Sequence, residues 1–358
     1  MENEKNTVSE NVTAKCPQTE ITAPVKLLND DGTLAVQGWA RRNLFEYDRK
    51  LVKPRGRLKE WDFYQISDGH YLVQVNFFNI TVGSAATACL IDMTTGKRIA
   101  SAQIVAGTRR RYPMPDKSDT PNFFRYDRGN VYVEFDTCPT FRKILFGGRA
   151  KGKPFRMKFR MYYPENHENI TIVTPFDNMP TRFFLTTKQN CMPCEGKVTW
   201  GDTEFVFDRN KTFAVLDWGR GVWPHRNEWY WGNGATYVDG KIFGFEITWK
   251  IGSKTPAATE TCLFYDGKAH KIGAVDVETF PGENNGWMKP WHFVSEDGRF
   301  DVTMTPFYDN KSGAIVCSLG MKTHQVHGLF NGYAVLDDGT RIEIKDMYAF
   351  CEYVRNAW

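Results

Sequence analysis

Residues 61–104 read WDFYQISDGHYLVQVNFFNITVGSAATACLIDMTTGKRIASAQI, and this stretch decides the fold prediction. Apolar and polar residues alternate over short segments, which are separated by Ser-Asp-Gly and Thr-Thr-Gly. Alternation with a period of two is typical of strands with one buried face, and glycine after a polar residue marks hairpin turns. The stretch therefore predicts two successive antiparallel β-hairpins.

Residues 229–277 repeat this pattern as WYWGNGATYVDGKIFGFEITWKIGSKTPAATETCLFYDGKAHKIGAVDV. In both copies tryptophan opens a strand, Asp-Gly turns it, and an Ala-Ala-Thr segment leads to Cys-Leu. Repeats of this kind indicate duplicated structural units. We therefore predict an all-β fold of two tandem antiparallel β-barrels. The expected parts are a mobile tail at 1–24, a first barrel at 25–190 and a second barrel at 191–358.

The rest of the chain continues the strand pattern, and its composition excludes several classes of protein. Residues 39–50 (WARRNLFEYDRK) are the best candidate for a short helix. With 46 basic and 42 acidic residues in 358, the net charge of +4 does not favour nucleic-acid binding. No apolar run reaches the roughly 18 residues of a membrane span, and the N-terminus lacks the apolar core of a signal peptide. We expect a cytoplasmic protein without membrane insertion.

No pattern points to a cofactor. Cys191 and Cys194 form a lone CxxC without a second pair at zinc-ribbon spacing, so we interpret them as free thiols in a connector. The histidines show no H-x-H or HExxH spacing, and neither a P-loop nor a G-x-S-x-G elbow is present. The sequence therefore predicts no metal and no nucleotide cofactor, and a small molecule as the partner.

Residues 217–234, DWGRGVWPHRNEWYWGNG, concentrate the candidate chemistry. They combine four tryptophans with two arginines, one histidine, two acids and several glycines. Large apolar walls with a few oriented polar groups are what a concave ligand site needs. The alternative is a structural knot, in which indoles and arginines satisfy one another between two sheets.

This segment also carries a family resemblance. The chain resembles the bacterial domain of unknown function family 2804 in LLNDDGTLAVQGWARR at 27–42, LKEWDFYQI at 58–66, LDWGRGVWPHRNEWYWGNGA at 216–235 and ATETCLFYDGKAHKI at 258–272. The resemblance implies two lipocalin-like, calycin-type barrels with a ligand site inside one barrel or between the two. Distant relatives in that group include carotenoid and isoflavonoid hydratases, tocopherol cyclase and fungal pericyclase-like enzymes. The resemblance does not imply a particular reaction.

Those relatives share proton delivery inside an apolar pocket, which suggests candidate catalytic residues. Burial raises the pKa of a carboxyl group, so that the proton-donating form exists near neutral pH. Glu228, which lies among the tryptophans, is the first candidate for the acid, and Asp217 is the second. His225 is a candidate proton relay. The alternatives are carboxylates that merely pair with arginine and a histidine on the surface.

The candidate substrate-binding residues are large aromatic or polar groups in the same region and in its repeat partner. They are Arg220, Trp223, Trp229, Trp231, Asn233, Glu260, Trp61, Trp291 and His327. Trp229 and Trp231 are two residues apart, so on a strand they point to the same face. That face either walls a cavity or packs at the barrel interface. Arg220 either binds an anionic group of a ligand or staples two strands, and Glu260 either serves the site or faces outward.

Three hypotheses follow. The first is an acid/base enzyme of the hydratase, lyase, isomerase or hydrolase type, acting on a ring-bearing metabolite or a glycoside. The second is a non-catalytic binder of a lipid, terpenoid or aromatic metabolite. The third is a structural protein whose tryptophans form only the interface between its barrels.

Overall fold

The computed structural model describes residues 18–80, 83–106, 112–252, 257–278, 286–316 and 319–357. These residues form two antiparallel sheets and a small parallel pair of β1 (Val25–Lys26) with β3 (Phe45–Glu46). The only helices in these ranges are two single 3₁₀ turns, at Arg55–Arg57 and Gly286–Met288. Neither has the length and apolar character that a helix needs to cross a bilayer.

The first sheet has thirteen strands. They are β2 (Gly38–Ala40), β4 (Leu58–Ser67), β5 (Tyr71–Ile80), β6 (Gly83–Asp92), β7 (Lys97–Ala106), β8 (Asn122–Arg128), β9 (Val131–Thr137), β10 (Phe141–Ala150), β11 (Lys153–Tyr162), β12 (Ile170–Phe176), β13 (Met179–Trp200), β14 (Thr203–Phe207) and β15 (Phe213–Val222). Its main order is β7-β6-β5-β4-β15-β13-β11-β10-β9-β8. The sheet curls until β7 meets β10, where a Cβ added at Gly148 would lie 2.5 Å from Ser101 Oγ. It thereby encloses a large apolar core.

The second sheet has nine strands in the order β19-β18-β17-β16-β24-β23-β22-β21-β20. They are β16 (Arg226–Val238), β17 (Lys241–Trp249), β18 (Cys262–Tyr265), β19 (Lys268–Lys271), β20 (Val275–Glu278), β21 (Trp291–Ser295), β22 (Phe300–Val316), β23 (Leu319–Val335) and β24 (Arg341–Ala357). This sheet also curls, and Arg299 Nη1 donates to Lys271 O at 2.9 Å across the closing gap. Phe245, Trp291 and Phe330 belong to its separate core.

Both sheets are built on the same plan. Each contains a four-stranded meander, β4 to β7 in the first and β16 to β19 in the second. In each, the last strand of the following run, β15 or β24, pairs with the first strand of the meander. Trp61 and Trp229 lie on the corresponding strands β4 and β16. The predicted all-β fold of two tandem, duplicated, barrel-like units is confirmed.

The sheets do not divide where the predicted barrels did. β13 runs through the predicted division at 190/191, and β15 pairs with β13 and β4. Residues 191–222 therefore belong to the first sheet, and the chain passes to the second sheet between Val222 and Arg226. As domain limits, 25–190 and 191–358 remain a prediction. Of the predicted tail at 1–24, residues 18–24 are described and Ile21 N donates to Trp39 O at 2.7 Å, whereas 1–17 lie outside the described residues.

The short helix predicted at 39–50 is wrong. Trp39 lies on β2, which pairs with β12, and Phe45 lies on β3, which pairs with β1. Both side chains are buried in the molecule. Burial of these two rings against strands decides the local structure over the weak helical pattern.

Cys191 and Cys194 lie inside β13 rather than in a connector. Both are buried free thiols, and burial raises the pKa of each. A β-bulge between Gln189 and Met192, with Cys191 in the left-handed region at φ 59°, shifts the pairing of β13 with β15. In the part of the chain that the structure describes, no group of three or more His, Cys, Asp or Glu is arranged to hold a metal ion.

Candidate active site

The segment 217–234 links the two sheets. Its first residues belong to β15 and its last to β16, with Trp223 between the two strands. Alternation along β15 sends Trp218 into the first core and Arg220 to the same side, whereas Asp217 faces the second sheet. The chemistry that the sequence concentrates here is therefore divided between two surfaces.

A buried lysine of β13 lies between the sheets. Lys188 Nζ is 2.6 Å from Asp217 Oδ1 and 3.7 Å from Glu260 Oε1. It also lies 4.4 Å from the centre of the Trp231 ring. Burial lowers the pKa of this lysine, but the neighbouring carboxylates, Asp217 first, outweigh burial and raise the pKa above its ordinary value. The residues called here the inter-sheet cluster are Lys188, Asp217, Glu246, Glu260 and Glu352.

Glu246 of β17 is fully buried and held by two residues of β16. Trp231 Nε1 donates to its Oε2 at 2.7 Å, and Asn233 Nδ2 donates to its Oε1 at 2.8 Å. Burial raises the pKa of Glu246 to about 8, against the opposing effects of Lys188 and the two hydrogen bonds. The raised pKa favours the protonated form of this carboxyl group at neutral pH.

Glu352 of β24 is the second strongly perturbed acid of the cluster. Trp229 Nε1 donates to its Oε1 and Gln325 Nε2 to its Oε2, both at 3.2 Å. Gln325 in turn accepts a hydrogen bond from Gln74 Nε2 of the first sheet at 2.8 Å. Burial raises the pKa of Glu352 to about 7. This carboxyl group therefore titrates near neutral pH.

Glu260 is a further acidic residue close to the ammonium group of Lys188. Thr248 Oγ1 donates to Glu260 Oε2, and burial raises the pKa of Glu260. Carboxyl groups this close in a buried site do not all ionise independently, and their protons are shared by the group. The inter-sheet cluster therefore holds acid and base forms side by side.

A cavity of about 290 Å³ opens between the sheets next to this cluster. Val215 lines it from the first sheet, and Asn233, Tyr348 and Phe350 line it from the second. Asn233 also holds Glu246, which lies behind it and does not itself line the cavity. A ligand in this cavity therefore lies one side chain away from the carboxyl group of raised pKa.

The structure brings together a subset of the predicted residues. Those in or against the inter-sheet cluster are Asp217, Trp229, Trp231, Asn233 and Glu260. Trp223 packs edge-to-face on Trp61 and on Trp229, with ring centres 5.3 and 5.2 Å apart. The rings of Trp61, Trp223 and Trp229 form an aromatic wall. Its Trp229 end contacts Glu352 of the inter-sheet cluster.

Arg220 lies elsewhere. Its guanidinium is fully buried inside the first sheet, 3.0 Å from Asp62 Oδ1, and it donates to the backbone carbonyls of Trp61 and Pro115 at 2.7 and 2.8 Å. The side chain therefore links strand β4 and the chain near residue 115 to β15. This is the structural role that the sequence analysis gave as the alternative to binding an anionic ligand. It does not reach the cavity.

Glu228 and His225 are exposed. On β16, Glu228 shares the face of Tyr230 rather than that of Trp229 and Trp231, and Tyr353 Oη donates to Glu228 Oε2 at 2.6 Å. The proton-donor role predicted for Glu228 required burial among the tryptophans. The strand alternation places it on the other side.

Trp291 and His327 are both buried, in different places. Trp291 lies in the core of the second sheet, and its Nε1 donates to Trp287 O at 3.1 Å. His327 faces the first sheet, with Nδ1 2.9 Å from Tyr348 Oη. Burial lowers the pKa of His327 to about 3, so the ring is neutral at physiological pH. Of the two, only His327 contacts a residue that lines the cavity.

Sequence reasoning missed three members of the cluster, Lys188, Glu246 and Glu352. The signal was a charged residue inside a strand-like segment, as Lys188 in FFLTTKQN at 183–190 and Glu246 in the mostly apolar IFGFEITW at 242–249. A charged residue there is either on an exposed face or buried with partners. Only the packing of one sheet on the other distinguishes these cases.

The chain is similar to one protein family over most of its length and to solved structures at low sequence identity. A sequence profile described as "Domain of unknown function (DUF2804)" matches residues 18–358. No curated protein gives a significant match. Among solved structures, the chain is similar to the crystal structure of kievitone hydratase from Nectria haematococca, with 11% identity and a TM-score of 0.46 over 86% of this chain and 90% of that chain. The profile match spans both sheets and the inter-sheet cluster.

Proposed function

The chain belongs to the family described as "Domain of unknown function (DUF2804)", and on that premise we propose that it is a small-molecule enzyme that uses acid/base catalysis. The proposed site is the inter-sheet cluster with the cavity beside it. The proposed reaction is of the hydratase, lyase, isomerase or hydrolase type, without a nucleotide cofactor. Glu246 is the proposed proton donor.

One observation carries this proposal: Glu246, with its pKa raised to about 8, lies in the same buried cluster as the Lys188–Asp217 ion pair. A general acid must be protonated at the working pH, and a general base must not be. Two carboxyl groups whose surroundings differ in this way support opposite roles. Asp217 is therefore the proposed base, and Lys188 holds it in position.

The surrounding side chains support a ring-bearing substrate. Trp231, Phe63 and Phe350 present aromatic surface between the sheets, and Phe350 lines the cavity. Asn233 and Gln65 add polar groups to that lining, which suit hydroxyl groups of a substrate. The volume of about 290 Å³ is near the lower end of ligand pockets, roughly 300–1,000 Å³. A lining of apolar groups alone would favour a non-catalytic binder, and the polar groups favour the enzyme instead.

The test is a turnover screen with wild-type protein and the variant Glu246→Gln. The panel contains conjugated enones, hydroxylated isoprenoids and aryl glycosides. For any compound turned over, Glu246→Gln is expected to lower kcat/KM by about 10²–10⁴-fold, because the amide cannot donate the proton. Compound binding, followed by thermal shift, is expected to persist.

Glu228→Gln is the matched control, since Glu228 is an exposed glutamate of the neighbouring strand. It is expected to keep wild-type activity. Loss of turnover in Glu228→Gln with full activity in Glu246→Gln would refute the proposed site. Compounds that bind but are turned over by neither protein would support a binder.

A further inference from the structure

Three amide side chains line the cavity between the sheets, and they differ in how much of their hydrogen-bonding capacity is used. They are Gln65, Asn190 and Asn233, which are 4%, 1% and 5% exposed, respectively. Asn190 is satisfied at both ends, because its Nδ2 donates to two backbone carbonyls and its Oδ1 accepts from Cys191 N. Gln65 and Asn233 each use one end only, so the other end is left for a ligand.

The unused end of Gln65 is its donor. Gln65 Oε1 accepts from Gln74 Nε2 at 2.9 Å, whereas Gln65 Nε2 donates to no group in the part of the chain that the structure describes. This nitrogen keeps accessible surface, and Gln65 lines the cavity. An otherwise buried side chain therefore presents an NH₂ group to the cavity.

A chain of hydrogen bonds that begins at Glu352 sets this orientation. Gln325 Nε2 donates to Glu352 Oε2 at 3.2 Å, which leaves Gln325 Oε1 to accept from Gln74 Nε2 at 2.8 Å. The same Gln74 nitrogen donates to Gln65 Oε1. Turning the Gln65 amide around would place two NH₂ groups against each other, because nitrogen donates and oxygen accepts in every amide. The donor end of Gln65 is therefore held away from Gln74.

Asn233 presents the opposite polarity from the second sheet. Its Nδ2 donates to Glu246 Oε1 at 2.8 Å, and its Oδ1 accepts from no residue within the described ranges. This oxygen keeps accessible surface, and Asn233 lines the cavity. The cavity thus has one donor from the first sheet and one acceptor from the second.

Gln65 lies close to the proposed base. On β4 it is opposite Val215 of β15, and Asp217 lies two residues further along β15. Residues related in this way share a face and are diagonal neighbours, roughly 7–8 Å apart. Phe63, on the same face of β4 as Gln65, packs on Trp231 with ring centres 6.4 Å apart, so this face is turned to the second sheet.

The charged residues of the cavity lining do not favour an anion. They are Asp68, Lys211 and Asp346, two acids and one base. The inter-sheet cluster beside the cavity also has more acidic than basic side chains. Since like charges repel, the acceptor that Gln65 binds is an uncharged oxygen rather than a carboxylate.

We propose that this cavity takes an uncharged molecule that carries a carbonyl group and a hydroxyl group on an apolar ring. Gln65 donates a hydrogen bond to the carbonyl oxygen, and Asn233 accepts one from the hydroxyl group. The inference rests on the function proposed for the inter-sheet cluster, since it names the substrate class of that site. When Asp217 takes a proton from the carbon next to the carbonyl group, the electron pair moves onto the carbonyl oxygen, where the Gln65 donor stabilises it.

The test measures the binding of four bicyclic probes by isothermal titration calorimetry. The first, 7-hydroxy-1-tetralone, has both groups; 1-tetralone lacks the hydroxyl group, and 5,6,7,8-tetrahydro-2-naphthol lacks the carbonyl group. The wild-type protein is expected to bind the first probe about 3–10-fold tighter than either of these, the usual value of one hydrogen bond between uncharged groups. The anion 5,6,7,8-tetrahydro-2-naphthoate is expected to bind most weakly.

Gln65→Met removes the donor at nearly constant length. It is expected to abolish the preference for the carbonyl group and to keep the preference for the hydroxyl group, because Asn233 is unchanged. Gln74 still donates to Gln325 in this variant. Gln103→Met is the matched control, since Gln103 lies on β7 outside the cavity, and it is expected to bind all four probes as wild type does.

Gln74 is a positioning residue, and Gln74→Met tests that role. Without Gln74 the Gln65 amide can turn either end to the cavity, so the preference for the carbonyl group is expected to fall without vanishing. A purely structural role would weaken all four probes by the same factor and leave their ratios unchanged. That result would contradict the orientation assigned to Gln65.

Equal affinity of wild type for probes with and without the carbonyl group, or no binding of any probe, would overturn the proposal. So would tightest binding of the naphthoate, or a folded Gln65→Met protein that keeps the carbonyl preference, with folding checked by its thermal unfolding midpoint. If that variant does not fold, the wild-type ratios and Gln74→Met decide.

Failure of this inference is distinct from failure of the proposed function. Turnover of compounds without a carbonyl group, unchanged in Gln65→Met, would overturn the substrate class and leave acid/base catalysis in place. The expected probe ratios in a protein that turns nothing over would support the ligand class and refute the catalytic function alone.

Discussion

Glu246 acquires its chemistry entirely from its neighbours. In water a glutamate is ionised at neutral pH, but burial between two sheets raises the pKa of Glu246 to about 8. Two hydrogen bonds, from Trp231 and Asn233, fix the orientation of the carboxyl group without reversing that effect. The residue is therefore held in the form that donates a proton, in a position set by two strands.

The pH dependence of stability follows from the same residue. The pKa of Glu246 in the folded protein, about 8, is above its ordinary value of 4.5, so between these pH values the folded state binds more protons than the unfolded state. The contribution of Glu246 to stability therefore falls as pH rises through this window. Glu246→Gln cannot titrate, so its unfolding midpoint is expected to rise relative to wild type by roughly 3–7 °C from pH 5 to 8.

Thermal unfolding followed by circular dichroism across this pH range checks the prediction. The exposed Glu228→Gln variant is expected to follow the wild-type curve at every pH. Parallel curves for Glu246→Gln and wild type would show that the carboxyl group ionises normally in the folded protein.

At the scale of elements, the packing of β15 on its neighbour β4 depends on a close contact between one glycine and one indole ring. Gly219 pairs with Trp61, and a Cβ at Gly219 would lie 2.0 Å from Trp61 Cζ2. The indole of Trp61 therefore lies directly over the glycine and reaches Trp223 at the aromatic wall. A larger residue at this position must displace the indole or separate the strands.

Gly219→Ala is accordingly expected to destabilise the protein by about 1–3 kcal/mol, the usual cost of forcing extra volume into a packed region. Urea denaturation followed by tryptophan fluorescence measures this loss. Gly56→Ala is the control, since no atom lies within 4 Å of a Cβ there, and its stability is expected to match wild type. Adding Trp61→Phe to Gly219→Ala is expected to restore part of the loss, and no restoration would argue against the contact.

At the scale of the whole molecule, the two sheets are joined by buried polar contacts as well as by the chain. Lys188 of the first sheet lies against Trp231 of the second, and Gln74 bonds Gln325 across the same gap. Removing one partner of a buried charge pair leaves the other without compensation. The stability of each sheet therefore depends on its contact with the other.

Lys188→Met is expected to cost about 3–5 kcal/mol and to lower the stability of both sheets together. Denaturation is expected to remain a single transition, coincident by fluorescence and circular dichroism. Lys197→Met is the matched control on the same strand, because Lys197 pairs with Glu204 on the surface and is 51% exposed. This variant is expected to lose no more than about 1 kcal/mol of the free energy of unfolding. A Lys188→Met protein with two separate transitions would mean that the sheets fold independently.

The all-β class, the duplication and the shared face of Trp229 and Trp231 could be predicted because they depend on local patterns. Strand alternation and Asp-Gly turns depend on a few neighbouring residues, and a duplication is recognised by comparing one part of the sequence with another. The limit between the sheets could not be placed in the same way. β13 continues through residues 190/191 because a bulge bends it without ending it, and a bulge leaves little trace in composition.

The sequence by itself determined the all-β class and which segment brings tryptophans and acids to the junction of the sheets. Only the tertiary structure decided that Glu246, rather than Glu228, is the buried acid, and that Arg220 belongs to the first core. Desolvation is a property of the atoms that surround a group, and those atoms come from strands far apart in the chain. Two glutamates in similar strand sequence therefore differ only once one sheet packs against the other.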